Sequence, residues 1–198
     1  MVEKVIFDAL SDNSIYDIRE ILSAELTKVI KDNRDIVILC IGTDRSTGDS
    51  LGPLVGYKLK FLVRDTVFIY GSLENPVHAK NISETNDLIL KSHNDPYIIA
   101  IDASLGGLQN VGKVIIESKP LYPGAALNKN LPSVGDLSIV GIGSLEFMVL
   151  QNTRLYIVMK LAEVISSGIY HSIIKTIGGR KSSSKVNNKY IPKVLDAD

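Results

Sequence analysis

Apolar positions along the chain alternate between two rhythms. After Asn13 or Ser14, either of which can cap a helix, Ile15, Ile18, Ile21, Leu22, Ala24, Val29 and Ile30 recur largely at helical spacing until Asp32-Asn33 stops them. Ile36 to Ile41 is instead an unbroken apolar run, the pattern of a strand buried on both faces. A second helical pattern runs from about Leu51 to Val63, with Pro53 in its first turn and Leu54, Val55, Leu59 and Leu62 on its inner side. Thr66 to Tyr70 is β-branched and aromatic, a strand ended by Gly71-Ser72. A third helix starts near Val77 or Ser83 and stops by His93, before Asn94-Asp95-Pro96.

The alternation then continues. Tyr97 to Ile101 is another buried strand, closed abruptly by Asp102 and followed by a Gly106-Gly107 turn. Gly112 to Ser118 alternates enough for an antiparallel or edge strand, and Lys119 to Gly135, with Pro120, Pro123 and Pro132, reads as loop. Leu137 to Ile142 is a last strand. Gly143-Ser144 opens a long helical pattern whose core face comprises Phe147, Leu150, Leu155, Val158, Met159 and Ala162; Gly168 divides it from a shorter helix ending at Gly178-Gly179. Strands alternating with helices predict a three-layer α/β/α sandwich with a mainly parallel sheet. The length, 198 residues, suits one domain. We assign it to residues 1–178, with 179–198 as a basic tail: Lys175 to Lys193 carries six basic residues and no acidic one. A solvated tail is the simpler reading of that run than a nucleic-acid contact.

Composition narrows the function classes. Lysine plus arginine equals aspartate plus glutamate at 22 each, so no overall field favours nucleic acid or a membrane surface. No segment carries ~18 uninterrupted apolar residues, and Met1 to Leu10 is too short and too acidic for a secretory signal. The single cysteine, Cys40, lies inside the apolar strand, which excludes an internal disulfide and a cysteine-rich zinc site and points to a reducing, cytoplasmic setting. Ile169, Ile173, Ile174 and Ile177 serve core packing or leave room for a homodimer contact.

The chemistry concentrates in two loops. Gly42-Thr43-Asp44-Arg45-Ser46-Thr47-Gly48-Asp49-Ser50-Leu51-Gly52-Pro53 follows the first buried strand, and Asp102-Ala103-Ser104-Leu105-Gly106 follows the third. In a flavodoxin-like 2-1-3 order these strands are neighbours ~4.8 Å apart, so both loops open on one sheet edge, where open α/β sheets bind their ligands. Asp49 and Asp102 could then share a proton, one serving as general base toward water and the other staying protonated to polarise a carbonyl. That pair suits amide hydrolysis and needs no cofactor or metal. Each aspartate also has a plainer use: Asp49 as the cap of the helix near Leu51, Asp102 as a tie within its own turn. The first loop has neither the P-loop ending nor the G-x-G-x-x-G fingerprint.

Four segments together resemble a known family: Gly42 to Pro53; Asn75-Pro76-Val77-His78-Ala79-Lys80-Asn81; Ile99-Ala100-Ile101-Asp102-Ala103-Ser104-Leu105-Gly106; and Pro123-Gly124 through Leu131-Pro132-Ser133-Val134-Gly135-Asp136 to Leu150-Gln151-Asn152-Thr153-Arg154-Leu155. They resemble the YyaC family of sporulation proteins of endospore-forming Firmicutes over roughly Asp35 to Val164. That family is similar in turn to the spore germination protease and, more distantly, to hydrogenase maturation endopeptidases. The resemblance implies a phosphorylase/hydrolase-like fold, peptidase chemistry and a forespore or spore interior. It also implies catalytic aspartates at Asp49, in a D-x-L-G-P segment, and at Asp102, in an I-D-A segment. Maturation endopeptidases use a later histidine toward nickel; Asp136 to Gly143 contains none, which disfavours that relative.

The leading expectation is therefore an aspartate-type peptidase acting on a protein or peptide. Asp44, Arg45, Ser46, Thr47, His78 and Ser104 are its candidate substrate-binding residues, and Arg45 is suited to a substrate carboxylate. His93 and His171 read as surface or packing residues. The alternatives are a non-catalytic spore protein that binds peptides or acts as a scaffold on a peptidase fold, and a metal-dependent peptidase with Asp49, Asp102 and His78 as ligands.

Overall fold

The apolar runs become the middle of a six-stranded sheet in a computed structural model that describes residues 2–62, 64–123, 132–145 and 153–178. The strands are β1 (Val5–Asp8), β2 (Ile36–Cys40), β3 (Val67–Tyr70), β4 (Tyr97–Gly106), β5 (Lys113–Glu117) and β6 (Leu137–Leu145). The helices are α1 (Ser14–Lys31), α2 (Leu51–Leu59), α3 (Ile82–Ser92) and α4 (Leu155–Ile177). Spatial order is β1-β5-β6-β4-β2-β3. β6, β4, β2 and β3 run parallel, while β5 is antiparallel to β6 and β1 to β5. The parallel part thus has the 2-1-3 order expected from right-handed crossovers, and the chain is an α/β fold with a mostly parallel mixed sheet.

Alternation along the strands sorts two apolar layers. Ile36, Ile38 and Cys40 of β2, with Ile99 and Ile101 of β4, pack with Leu22 and Leu26 of α1, Leu51 and Val55 of α2, and Leu161 and Ile165 of α4. Val37 and Leu39, with Ile98 and Ala100, face the other way onto Ile82 and Ile89 of α3. All five residues of β2 are buried, which is why its sequence reads as continuous rather than alternating. Cys40 is fully buried, and loss of hydration pushes its thiol pKa up, so it is a packing residue.

The structure corrects several expectations. Val5–Asp8 forms a strand that exists by pairing with β5, from Val5 opposite Ile116 to Asp8 opposite Lys113. The helix after the first loop stops at Leu59 rather than Val63; of the two expected starts of the third helix, Val77 and Ser83, the structure agrees with the second, beginning at Ile82 and leaving Val77 to bridge Ile41. Gly143-Ser144 does not start a helix, because β6 continues to Leu145 beside the prolonged β4. Gly168 does not divide α4; a Cβ there would lie 2.4 Å from Cγ2 of Ile18, so it is the point where α4 closes on α1. α4 is long and apolar enough to cross a membrane by length and composition, and more than half of it is buried against the rest of the chain. Phe147, Leu150 and the proposed tail, 179–198, lie outside the described residues.

Candidate active site

Where β2 ends, the chain must leave the sheet and start α2 within a few residues. Gly42 makes that exit: its φ of +134° is costly for other residues, and a Cβ there would stand 2.1 Å from the main-chain oxygen of Asp49. Gly52 lets the first turn of α2 lie against Ile41, whose carbonyl oxygen would be 2.1 Å from a Cβ. The loop between them folds back through a 3-10 turn, Thr47–Asp49. Its clasp is the Thr43 N–H, which donates to both the main-chain oxygen and Oδ2 of Asp49, each at 3.1 Å. Asp49 does not cap α2; Ser50 occupies the N-cap position and makes no side-chain capping bond.

Asp102 reaches the same place from the neighbouring strand. Cys40 pairs with Ile101, and the Ile41 N–H donates to the Ile101 oxygen at 2.8 Å. Asp102 is therefore the first β4 residue past the end of β2. It does not end its strand, as its abrupt polarity suggests. β4 runs on to Gly106, paired with β6 from Asp102 opposite Val140 to Gly106 opposite Leu145 with one extra β6 residue between Ile142 and Ser144. The Asp102 pKa is pushed up to about 8, first by burial and then by the charge of Asp49, against a 2.8 Å hydrogen bond from the Ala103 N–H to Oδ1. At neutral pH a group of that pKa is about nine-tenths protonated. One carboxyl is thus held mostly neutral within reach of another's charge at the carboxyl end of a parallel sheet, an arrangement suited to acid–base work.

The remaining candidates divide by position. The Gly42 N–H donates to the Val77 oxygen at 2.8 Å, which sets His78 beside the loop on the side of β2 away from β4. The Lys80 N–H donates to His78 Nδ1 at 3.3 Å, placing the proton of a neutral ring on Nε2. Ser46 Oγ is buried and meets no hydrogen-bond partner. Thr47 offers its carbonyl to the Ser50 hydroxyl at 2.8 Å. Asp44 and Arg45 are exposed, and Ser104 is spent on the Leu105 carbonyl at 3.2 Å. Among the described residues no three histidine, cysteine, aspartate or glutamate side chains converge as a metal-binding set, so Asp49, Asp102 and His78 are not assembled as one. His93 proves to be a packed side chain, stacked on Phe68 with ring centroids 4.0 Å apart and hydrogen-bonded through Nε2 to the Tyr70 hydroxyl at 2.8 Å.

Two features had no signal in the residue pattern. The Thr43–Asp49 clasp depends on a backbone turn that joins residues six positions apart, and the Val77 bridge depends on one of the two segments where a helix could have started.

The chain is 50% identical over 156 residues to the protein YyaC of Bacillus subtilis (strain 168), a protein described as uncharacterized, covering 77% of this chain and 75% of that protein. Among solved structures it is similar to the [NiFe] hydrogenase maturation protease HycI of Thermococcus kodakarensis KOD1, with 21% identity and a TM-score of 0.44 over 73% of this chain and 98% of that one. The model of the DUF1256 family, proteins of unknown function, matches residues 7–168, and this chain belongs to that family.

Proposed function

We propose that this chain is a peptidase in which Asp49 activates water and protonated Asp102 polarises the scissile carbonyl. The observation that carries the reading is the placement of Asp49 and Asp102 at the end of two adjacent parallel strands, where burial and the Asp49 charge push the Asp102 pKa up to about 8. Asp49, ionised, takes a proton from water as the oxygen attacks the carbonyl carbon, while Asp102 gives its proton to the developing oxyanion. Collapse of the tetrahedral intermediate expels the amine, which leaves with the proton from Asp49, and Asp102 regains its own. The orphaned Ser46 hydroxyl supports the reading, because a buried polar atom without a partner is expected to meet a ligand or water. Asp44, Arg45, Thr47, His78 and Ser104 line the approach in this proposal, and the substrate is a protein or peptide. A spore setting is part of the proposal through the motif resemblance.

The experiment is digestion of a random decapeptide mixture by the purified chain, read by mass spectrometry. Wild type yields new termini; Asp49→Asn and Asp102→Asn, confirmed folded by circular dichroism, yield none. Cleavage undiminished in both variants would overturn the mechanism. A second reading, a peptide-binding protein without catalysis, draws support from the local ties of both carboxylates, Asp49 to the Thr43 N–H and Asp102 to the Ala103 N–H. Binding of the mixture without any new termini would decide for it.

A further inference from the structure

β4 outlasts its partner. β2 leaves the sheet after Cys40, its last ladder bond being the one from the Ile41 N–H to Ile101, whereas β4 continues to Gly106. On its other side β4 stays fully paired with β6, which absorbs one extra residue between Ile142 and Ser144 so that pairing resumes at Leu105. Among the described residues no strand pairs with the β2-facing edge beyond Ile101.

Strand geometry says which groups that edge presents. Ile101 turns its carbonyl toward β2, so Asp102 and Ser104 turn their main-chain groups toward β6, and Ala103 and Leu105 turn theirs to the open side. The one bond seen at Ala103 agrees: its N–H points away from β6 and is taken by Asp102 Oδ1 at 2.8 Å. The open side therefore offers the Ala103 carbonyl and the Leu105 N–H, an acceptor and a donor two residues apart. That is the pair an added strand engages. At ~3.3 Å per residue the stretch from Ala103 to Gly106 that is unpaired on this side is ~13 Å long, the length of about four residues of extended chain, and the Thr47–Asp49 turn packs against β4. Ala103, Ser104 and Leu105 are all partly exposed.

We propose that a peptide binds by strand addition to this edge, in the slot β2 vacates, hydrogen-bonded to the Ala103 carbonyl and the Leu105 N–H. This rests on the reading of the site as one for peptides, and it names the form in which the peptide is held: extended, recognised through its backbone, with alternate side chains on the two faces of the sheet. The slot begins where Asp102 stands. Its carboxyl occupies the acceptor position at the Ala103 N–H that a peptide carbonyl would otherwise take, so the docked backbone passes directly by it. A folded helix or a disulfide-bound loop cannot enter such a slot.

The test uses decapeptides selected from a random display library on the Asp102→Asn chain, then synthesised with a fluorophore. Leu105→Pro removes the open-side N–H and leaves the β6 ladder untouched, whereas Leu105→Ala keeps the N–H. On the Asp102→Asn background, Leu105→Pro weakens binding about tenfold and Leu105→Ala changes it less than about threefold, the loss of one hydrogen bond. Amide hydrogen exchange on the chain without a proline gives a readout independent of that variant: bound peptide slows exchange at Leu105. Binding without protection at Leu105 overturns strand addition and leaves the peptidase reading standing. Failure of every selected peptide to bind overturns both. Protection at Leu105 with no cleavage by wild type supports strand addition and overturns only the catalysis.

Discussion

Replacing Asp102 with asparagine should make the protein more stable, by an amount that depends on pH in a defined way. The pKa of Asp102 rises from the ordinary 3.8 to about 8 on folding. Between these values the folded chain holds a proton that the unfolded chain has released, so stability falls as pH rises across that window. Each pKa unit is about 1.4 kcal/mol, which sets a ceiling of about 4 kcal/mol at pH 7 and about 6 above pH 8. Asparagine has nearly the same shape, keeps an oxygen for the Ala103 N–H, and never ionises. The difference in unfolding free energy, Asp102→Asn minus wild type, should therefore be smallest below pH 4, climb by up to about 1.4 kcal/mol per pH unit, and level off above pH 8. Urea unfolding at steps from pH 4 to 9 measures it, and taking the difference cancels the groups that do not interact with Asp102. A rise of about 2–4 kcal/mol across the window is the expected outcome after relaxation around the charge. Asp49→Asn should narrow the window from its upper end, because the Asp49 charge is one cause of the shift. A difference that stays flat from pH 5 to 8 would refute a proton held on Asp102.

Three other substitutions probe the frame. Gly42→Ala forces a Cβ to within 2.1 Å of the Asp49 oxygen at a φ of +134°, and should cost about 2–3 kcal/mol by urea unfolding while abolishing cleavage; unchanged stability would contradict the close exit from β2. Gly168→Ala pushes α4 off Ile18 and should cost about 1–3 kcal/mol, seen as a lowered Tm, with no change if the two helices can separate freely. Tyr70→Phe removes the hydroxyl bonded to His93 and should lower stability by about 1 kcal/mol; an equally stable variant would show that this hydrogen bond contributes nothing net.

Much of the site could be read along the chain because each carboxylate closes a strong local signal. Asp49 stands before the Leu-Gly-Pro start of a helix, and Asp102 follows five apolar residues. Those runs announce buried strands on their own, and the right-handed crossover rule then leaves few ways to arrange them. The misreadings fall where local pattern and tertiary partner disagree. Asp102-Ala103-Ser104-Leu105-Gly106 looks like a turn, since polar and glycine residues interrupt the apolar run; it is a strand because β6 supplies a matching ladder. Gly168 reads as a break, yet continuous helix persists there because the missing side chain admits Ile18.

The amino-acid order alone determined the layers and the parallel core and put the two aspartates forward as candidates, because burial on both faces of a strand and the start of a helix are written in consecutive residues. Tertiary structure decided the rest. Val5–Asp8 is a strand only through β5, and the open edge past Ile101 exists only because β2 ends five residues before β4 does in their shared register. The proton on Asp102 follows the same rule. It depends on lost water and on a charge from a loop 53 residues earlier in the chain (102 minus 49), and neither the dielectric nor that distance is encoded in the residues beside it.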